Sequence, residues 1–227
     1  MKRKNVVLLG DSLLRGVILD DDKKYSFTKF VDWEEIQNEL NVNLTNISKM
    51  GCCSDKGIKI FQNYLNKNED VDTVIIEYGG NDCDKKWSKI SENCEIIHNA
   101  KVNPEDFVNN VGEIIELAIS KNIRPILMTL PPICALSYVK WVSYGLNYNN
   151  ILKYLHNDPQ TVYREQEKYS LLLGEIAQKY DVEIVKIREK FLESLNINSL
   201  LCLDGIHPNQ YGQKIIVDAF VKHFQIQ

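Results

Sequence analysis

The chain has 227 residues, 44% hydrophobic and 26% charged, with a formal net charge of -4. Such values suit one globular domain that buries a core without disulfides or metals. The acidic balance argues against a nucleic-acid partner, which needs a concentrated basic face.

Only Lys2-Arg3-Lys4 is densely basic, and it reads as a solvated terminus. The short apolar run before Gly10 is too brief for a signal peptide. No apolar run approaches the roughly 18 residues of a membrane span, so no membrane partner is expected. The predicted location is the cytoplasm. Cysteines stand at 52, 53, 83, 94, 134 and 202 with no C-x-x-C pair, so free thiols are expected rather than zinc or redox motifs.

Val6-Val7-Leu8-Leu9 is an apolar run closed by Gly10 and reads as a buried strand. A helix is expected to begin near Ser12. Backbone N–H groups at a helix N-terminus are unpaired and carry partial positive charge. A serine there can attack with its hydroxyl and hold an oxyanion with its N–H. The plainer reading of Ser12 is an N-cap.

Residues 20–30 are too polar for a core and read as a loop. Apolar residues at 30, 33, 36 and 40 predict an amphipathic surface helix. Residues 42–47 alternate and read as a second strand, leading into a loop with Gly51. Ser54 is the expected N-cap of a helix to about residue 66. Residues 71–78 form the clearest central strand, with Val74-Ile75-Ile76 suiting burial on both faces. It ends in the turn-rich cluster Gly79-Gly80-Asn81-Asp82.

Residues 83–103 read as irregular, with Trp87 and Ile90 as local anchors. Asn103 and Pro104 open a long helix to about residue 122. Residues 123–130 form a fourth strand, stopped by Pro131-Pro132. Residues 133–158 are the least regular and carry Tyr138, Trp141, Tyr144, Tyr148 and Tyr154. A helix over 160–180, a fifth strand over 182–187 and a short helix over 187–195 follow. The last helix spans about 210–224, with Tyr211, Ile215, Ala219 and Phe220 expected to face inward.

Five strands separated by helices imply a parallel sheet covered on both sides, an α/β/α sandwich. Its working loops then crowd the carboxyl rim. One domain is expected over residues 1–227, with an aromatic-rich insertion at about 133–158.

Asp204 and His207 lie three residues apart, flanked by Gly205 and Pro208. That spacing lets the aspartate hold Nδ1–H of the imidazole while Nε2 points outward as a base. With a serine on the same rim, they complete a nucleophile–base–orienter set. A D-x-x-H stretch alone is commoner as a surface loop or part of a metal site. A metal is disfavoured because no second ligand cluster accompanies it.

Taken together, these blocks resemble the SGNH hydrolase superfamily, also called GDSL esterases and lipases. Gly10-Asp11-Ser12-Leu13 matches its first block, Gly79-Gly80-Asn81-Asp82 its G-x-N-D block, and Asp204-Gly205-Ile206-His207-Pro208 its closing D-x-x-H-P block. Gly51 falls where that family has its second-block glycine. The blocks keep their order across nearly the whole chain. The resemblance implies a flavodoxin-like three-layer α/β/α sandwich with a five-stranded parallel sheet. It implies Ser12 as nucleophile, His207 as general base and acid, and Asp204 as orienter. The backbone N–H groups of Ser12 and Gly51 and the amide of Asn81 would form the oxyanion hole. Asp11 and Asp82 read as loop-bracing acceptors.

The aromatics of 133–158 read either as packing for an added helical subdomain or as a lid over the substrate pocket. Tyr138, Trp141 and Tyr144 are the pocket candidates there, and Trp87 would form the opposite wall. The expected activity is hydrolysis of a small-molecule ester without metal or cofactor, the favoured substrate being a short-acyl (acetyl) ester of a sugar or other small molecule. A lysophospholipase or thioesterase, an acyltransferase and a non-catalytic binding module are the alternatives.

Overall fold

The computed structural model describes residues 2–20, 22–29 and 31–225. The chain runs through β1 (Lys4–Leu9), β2 (Val17–Leu19), β3 (Tyr25–Phe27), α1 (Trp33–Leu40), β4 (Val42–Asn46) and α2 (Ser54–Leu65). It continues through β5 (Thr73–Ile76), α3 (Trp87–Glu92), α4 (Pro104–Ser120), β6 (Arg124–Met128), α5 (Ala135–Val142) and α6 (Tyr148–Tyr154). It closes with α7 (Gln160–Tyr180), β7 (Glu183–Val185), α8 (Ile187–Leu192), a 3-10 turn (Ile197–Leu200) and α9 (Gln210–Gln225).

Five strands form one sheet in the order β4-β1-β5-β6-β7. Every neighbouring pair is parallel, as in Val7 opposite Val74 and Ile75 opposite Ile126. Side chains alternate between faces along a strand. Val7, Leu9, Val74, Ile76 and Leu127 therefore share one core with Phe61 of α2, Ile114 of α4 and Leu173 of α7. Val6, Leu8, Ile75, Ile126 and Met128 share the opposite core with Phe191 of α8 and Ile216 of α9. This is the expected three-layer α/β/α sandwich. Fully burying one such Val, Leu or Ile is worth about 1.5–3 kcal/mol. A third apolar cluster joins α3, α5, α6 and the start of α7 through Trp87, Ile90, Val139, Ile151 and Val162.

Local chemistry explains the element ends. Asn103 caps α4, its side chain accepting from the N–H of Asp106, with Pro104, Glu105 and Asp106 in the first turn. Ser54 is the first residue of α2 rather than its cap, because its hydroxyl is taken by Asp82. Two expected irregular stretches contain helices. Trp87 and Ile90 anchor α3 as buried residues, and residues 133–158 fold into α5 and α6.

The chain after β1 departs from expectation. Residues from Ser12 make a single turn, closed by the N–H of Gly16 on Leu13 and of Val17 on Ser12. Gly16 sits at φ 73°, and the following Val17-Ile18-Leu19 pairs antiparallel with Tyr25–Phe27. A glycine in the left-handed region followed by β-branched residues ends a helix before it starts. Part of the expected loop at 20–30 is thus strand β3. The helix over 33–40 forms as expected, while Phe30 lies outside the described residues. Tyr211 points outward at 65% exposure, against expectation, while Ile215, Ala219 and Phe220 pack against the core as expected. Among the described residues, no helix is long and apolar enough to cross a membrane.

Candidate active site

The strand order reverses between β1 and β5, because the chain steps to β4 on one side and to β5 on the other. Open α/β sheets bind ligands at the carboxyl ends of the strands beside such a switch. Asp11 and Ser12 follow β1 there, and Gly79 to Asp82 follow β5. The segment 204–208, just before α9, comes to the same rim. An antiparallel bridge between Leu201 and Pro208 folds it back on itself. Gly205, at φ 75°, has no room for a Cβ, which would lie 2.6 Å from the carbonyl oxygen of Cys134.

Ser12 Oγ lies 2.9 Å from His207 Nε2, and His207 Nδ1 lies 2.7 Å from Asp204 Oδ2. All three residues are buried, with Ser12 6% and His207 5% exposed. Asp204 Oδ1 accepts from the N–H groups of Ile206 and His207, each at 3.1 Å. Burial alone would push the Asp204 carboxyl up, but the donors from His207 and the Ile206 N–H hold it below the ordinary carboxylate value. The spacing anticipated in the sequence thus brings serine, histidine and aspartate into one hydrogen-bonded line. A base hydrogen-bonded to a hydroxyl, and itself oriented by a carboxylate, is the arrangement that activates a nucleophile.

The three oxyanion candidates, Ser12, Gly51 and Asn81, all line the cavity that opens at this end. Among the described residues, no acceptor takes the N–H of Ser12 or of Gly51. The Ser12 N–H is free because the chain turns there, not because a helix begins. Gly51 sits at φ 71° with open space where a Cβ would stand. Asn81 gives one amide N–H to Asp11 Oδ2 at 2.7 Å, and an amide has a second N–H to offer.

Asp11 and Asp82 brace the loops as expected. Asp11 accepts from the N–H of Leu13 at 2.9 Å, and Asp82 from Ser54 and from the N–H of Gly79. Burial pushes the Asp82 carboxyl up to about 6, against the hydrogen bonds from Ser54. Glu77 was not singled out in the sequence. It is fully buried beneath Asp11, whose N–H reaches Glu77 Oε2 at 3.1 Å, while Glu77 Oε1 has no hydrogen-bond partner. Burial, then the charge of Asp11, raises the Glu77 carboxyl well above the ordinary value.

A cavity of about 910 Å³ opens from Ser12, His207, Gly51 and Asn81. Its apolar walls include Ile96, Ile97, Ile133, Leu155 and Val162. Trp87 and Tyr138 line it as expected, and both donate to Asp84, which also pairs with Lys101 at 2.8 Å. That acidic link between α3 and α5 carried no sequence signal. Trp141 and Tyr144 do not line the cavity, which corrects the expectation for both. Tyr144 is 91% exposed just beyond the end of α5, and Trp141, one turn on from Tyr138, stands beside Tyr25 of the β2–β3 hairpin, an element the sequence did not reveal.

A parallel sheet sandwiched between helices, with serine, histidine and aspartate joined on its carboxyl rim, defines the SGNH class of hydrolases. The chain belongs to the GDSL-like Lipase/Acylhydrolase family, whose profile matches residues 8–215. It is 23% identical to Thioesterase 1/protease 1/lysophospholipase L1 of Escherichia coli strain K12, over 97% of this chain and 83% of that one. Its fold is similar to that of the lipase/acylhydrolase from Enterococcus faecalis, with a TM-score of 0.67 at 18% identity, covering 98% and 95% of the two chains. An alpha/beta hydrolase enzyme from the metagenome of Lake Arreo, Spain, matches with the same score, identity and coverage.

Proposed function

We propose that this protein is a serine ester hydrolase acting through an acyl-enzyme on Ser12. The observation that carries the reading is the line Asp204–His207–Ser12, with contacts of 2.7 and 2.9 Å, ending at the mouth of the cavity. His207 Nε2 takes the Ser12 proton as Oγ attacks the ester carbonyl carbon. The carbonyl oxygen becomes an oxyanion, facing the N–H groups of Ser12 and Gly51 and the free amide N–H of Asn81. Each such donor typically lowers the barrier by about 2.7–4 kcal/mol. His207 then gives its proton to the departing alcohol oxygen. Water repeats the sequence on the acyl-enzyme and releases the acid. Asp204 stays ionised throughout and stabilises the imidazolium. The steps use protein groups and water alone.

The cavity favours a longer acyl chain than the acetyl group favoured from sequence. About 910 Å³ lies near the top of the range for small-ligand sites, and an acetyl group would leave most of it empty. Each methylene buried against Ile133, Leu155 or Val162 contributes about 0.8 kcal/mol. The similarity to a relative named as a thioesterase and lysophospholipase agrees with this reading.

The test is hydrolysis of p-nitrophenyl esters from acetate to long acyl chains, with Ser12→Ala as control. kcat/KM rising with chain length beyond butyrate, and lost in the variant, is the expected result. A steep fall after acetate would return the substrate to short esters. Undiminished cleavage by Ser12→Ala would overturn the mechanism.

A further inference from the structure

The β2–β3 hairpin stands where a first helix was expected, and it lies against the candidate site. Its strand β2 is tied to the 204–208 side by the N–H of Leu19, which donates to Cys202 Sγ at 3.3 Å. Opposite Leu19 in the hairpin register is Tyr25. The Tyr25 hydroxyl donates to Asp204 Oδ2 at 3.3 Å, the same oxygen that faces His207 Nδ1. Its ring meets the His207 imidazole edge-on, with centroids 5.2 Å apart.

We propose that Tyr25 is a positioning residue for the Ser12–His207–Asp204 line, its hydroxyl giving Asp204 a second side-chain donor while its ring closes one flank of the imidazole. This rests on the reading of Ser12 as nucleophile. Tyr25 touches no reacting atom; it acts through Asp204 and His207. The charged and titratable groups facing its hydroxyl are Asp204, His207 and Cys202. Burial and the Asp204 carboxylate push the hydroxyl up to about 12, so it remains a donor over the working pH range. By sharing Oδ2, the hydroxyl fixes that oxygen and tempers the pull of the carboxylate on an imidazolium proton. Without it, the imidazolium is favoured to higher pH and the carboxylate is held less firmly.

The experiment is the rate of covalent labelling by an alkyl fluorophosphonate from pH 5 to 9, which needs no natural substrate. Wild type, Tyr25→Phe and Ser12→Ala are compared, with melting temperature as a check on folding. For Tyr25→Phe the plateau rate is expected to fall about 3–10-fold. The midpoint of the acid limb is expected to move up by roughly half a pH unit, at unchanged melting temperature. A Tyr25→Phe profile that superimposes on wild type overturns the proposal, and so does a lower plateau with an unmoved midpoint, which is a packing effect. Equal labelling of wild type and Ser12→Ala is a separate failure. It refutes Ser12 as the nucleophile, and the Tyr25 proposal falls with it.

Discussion

Two groups of buried carboxyls flank Ser12, and they are held in opposite states. On the His207 side, Asp204 has two backbone donors, an imidazole and a tyrosine hydroxyl, and lies below its ordinary value. On the Asn81 side, Asp11, Glu77 and Asp82 are all raised by burial. Burial is similar on the two sides. The number and charge of the donors decide the sign, because each hydrogen bond to a carboxylate favours its ionised form. One side keeps a negative charge for an imidazolium. On the other, Asp11 accepts from the Asn81 amide at 2.7 Å.

Removing the charge on the His207 side is the harshest way to break this contrast. Asp204→Asn should lower kcat by about 10³–10⁴-fold with little change in KM, measured on the best p-nitrophenyl ester. Asn81→Ala removes a donor from the other side. It should cost about 10²–10³-fold in kcat, and a smaller loss would mean that the two backbone N–H groups suffice. Glu77→Gln keeps an acceptor for the Asp11 N–H and should stay close to wild type. Glu77→Ala should lose about 1–3 kcal/mol in urea denaturation, because it leaves that buried N–H without an acceptor. Equal stability of the two variants would show that this hydrogen bond does not brace the loop.

Asp82 gives the finest test. Its folded value of about 6 lies above the unfolded 3.8, so the folded state holds the extra proton between those values. Stability from this group is then present at low pH and is lost as pH rises from about 4 to 6. The full effect is about 3 kcal/mol. Asp82→Asn should gain on wild type by up to that amount between pH 4 and pH 7, read by denaturant midpoints. A difference that does not change with pH would place Asp82 among ordinary carboxylates.

The sandwich was legible because the buried strands are continuous apolar runs such as Val74-Ile75-Ile76, and because the helices between them keep their period. The rim residues were legible because Ser12, Asn81 and His207 stand in compact blocks. The hairpin was hidden, since a polar stretch at 20–24 looks like a loop whether or not strands flank it. Glu77 was hidden too, because a carboxyl in a strand gives no sign of which buried group it faces. Trp141 and Tyr144 misled because aromatic content does not say which surface each ring meets, and Tyr144 covers none. Asp84 shows the same limit in another form. Its partners Lys101 and Tyr138 come from distant parts of the chain, and only Trp87 is local.

Ser12 and His207 are hydrogen-bonded across 195 positions of sequence. The serine therefore leaves the ribosome long before its base exists. At a synthesis rate of about 5–20 residues per second, roughly 10–40 seconds separate the two. Throughout that interval the nascent chain carries a hydroxyl that no imidazole activates. On the mechanism proposed above, Ser12 gains its base only once the segment before α9 has reached the rim.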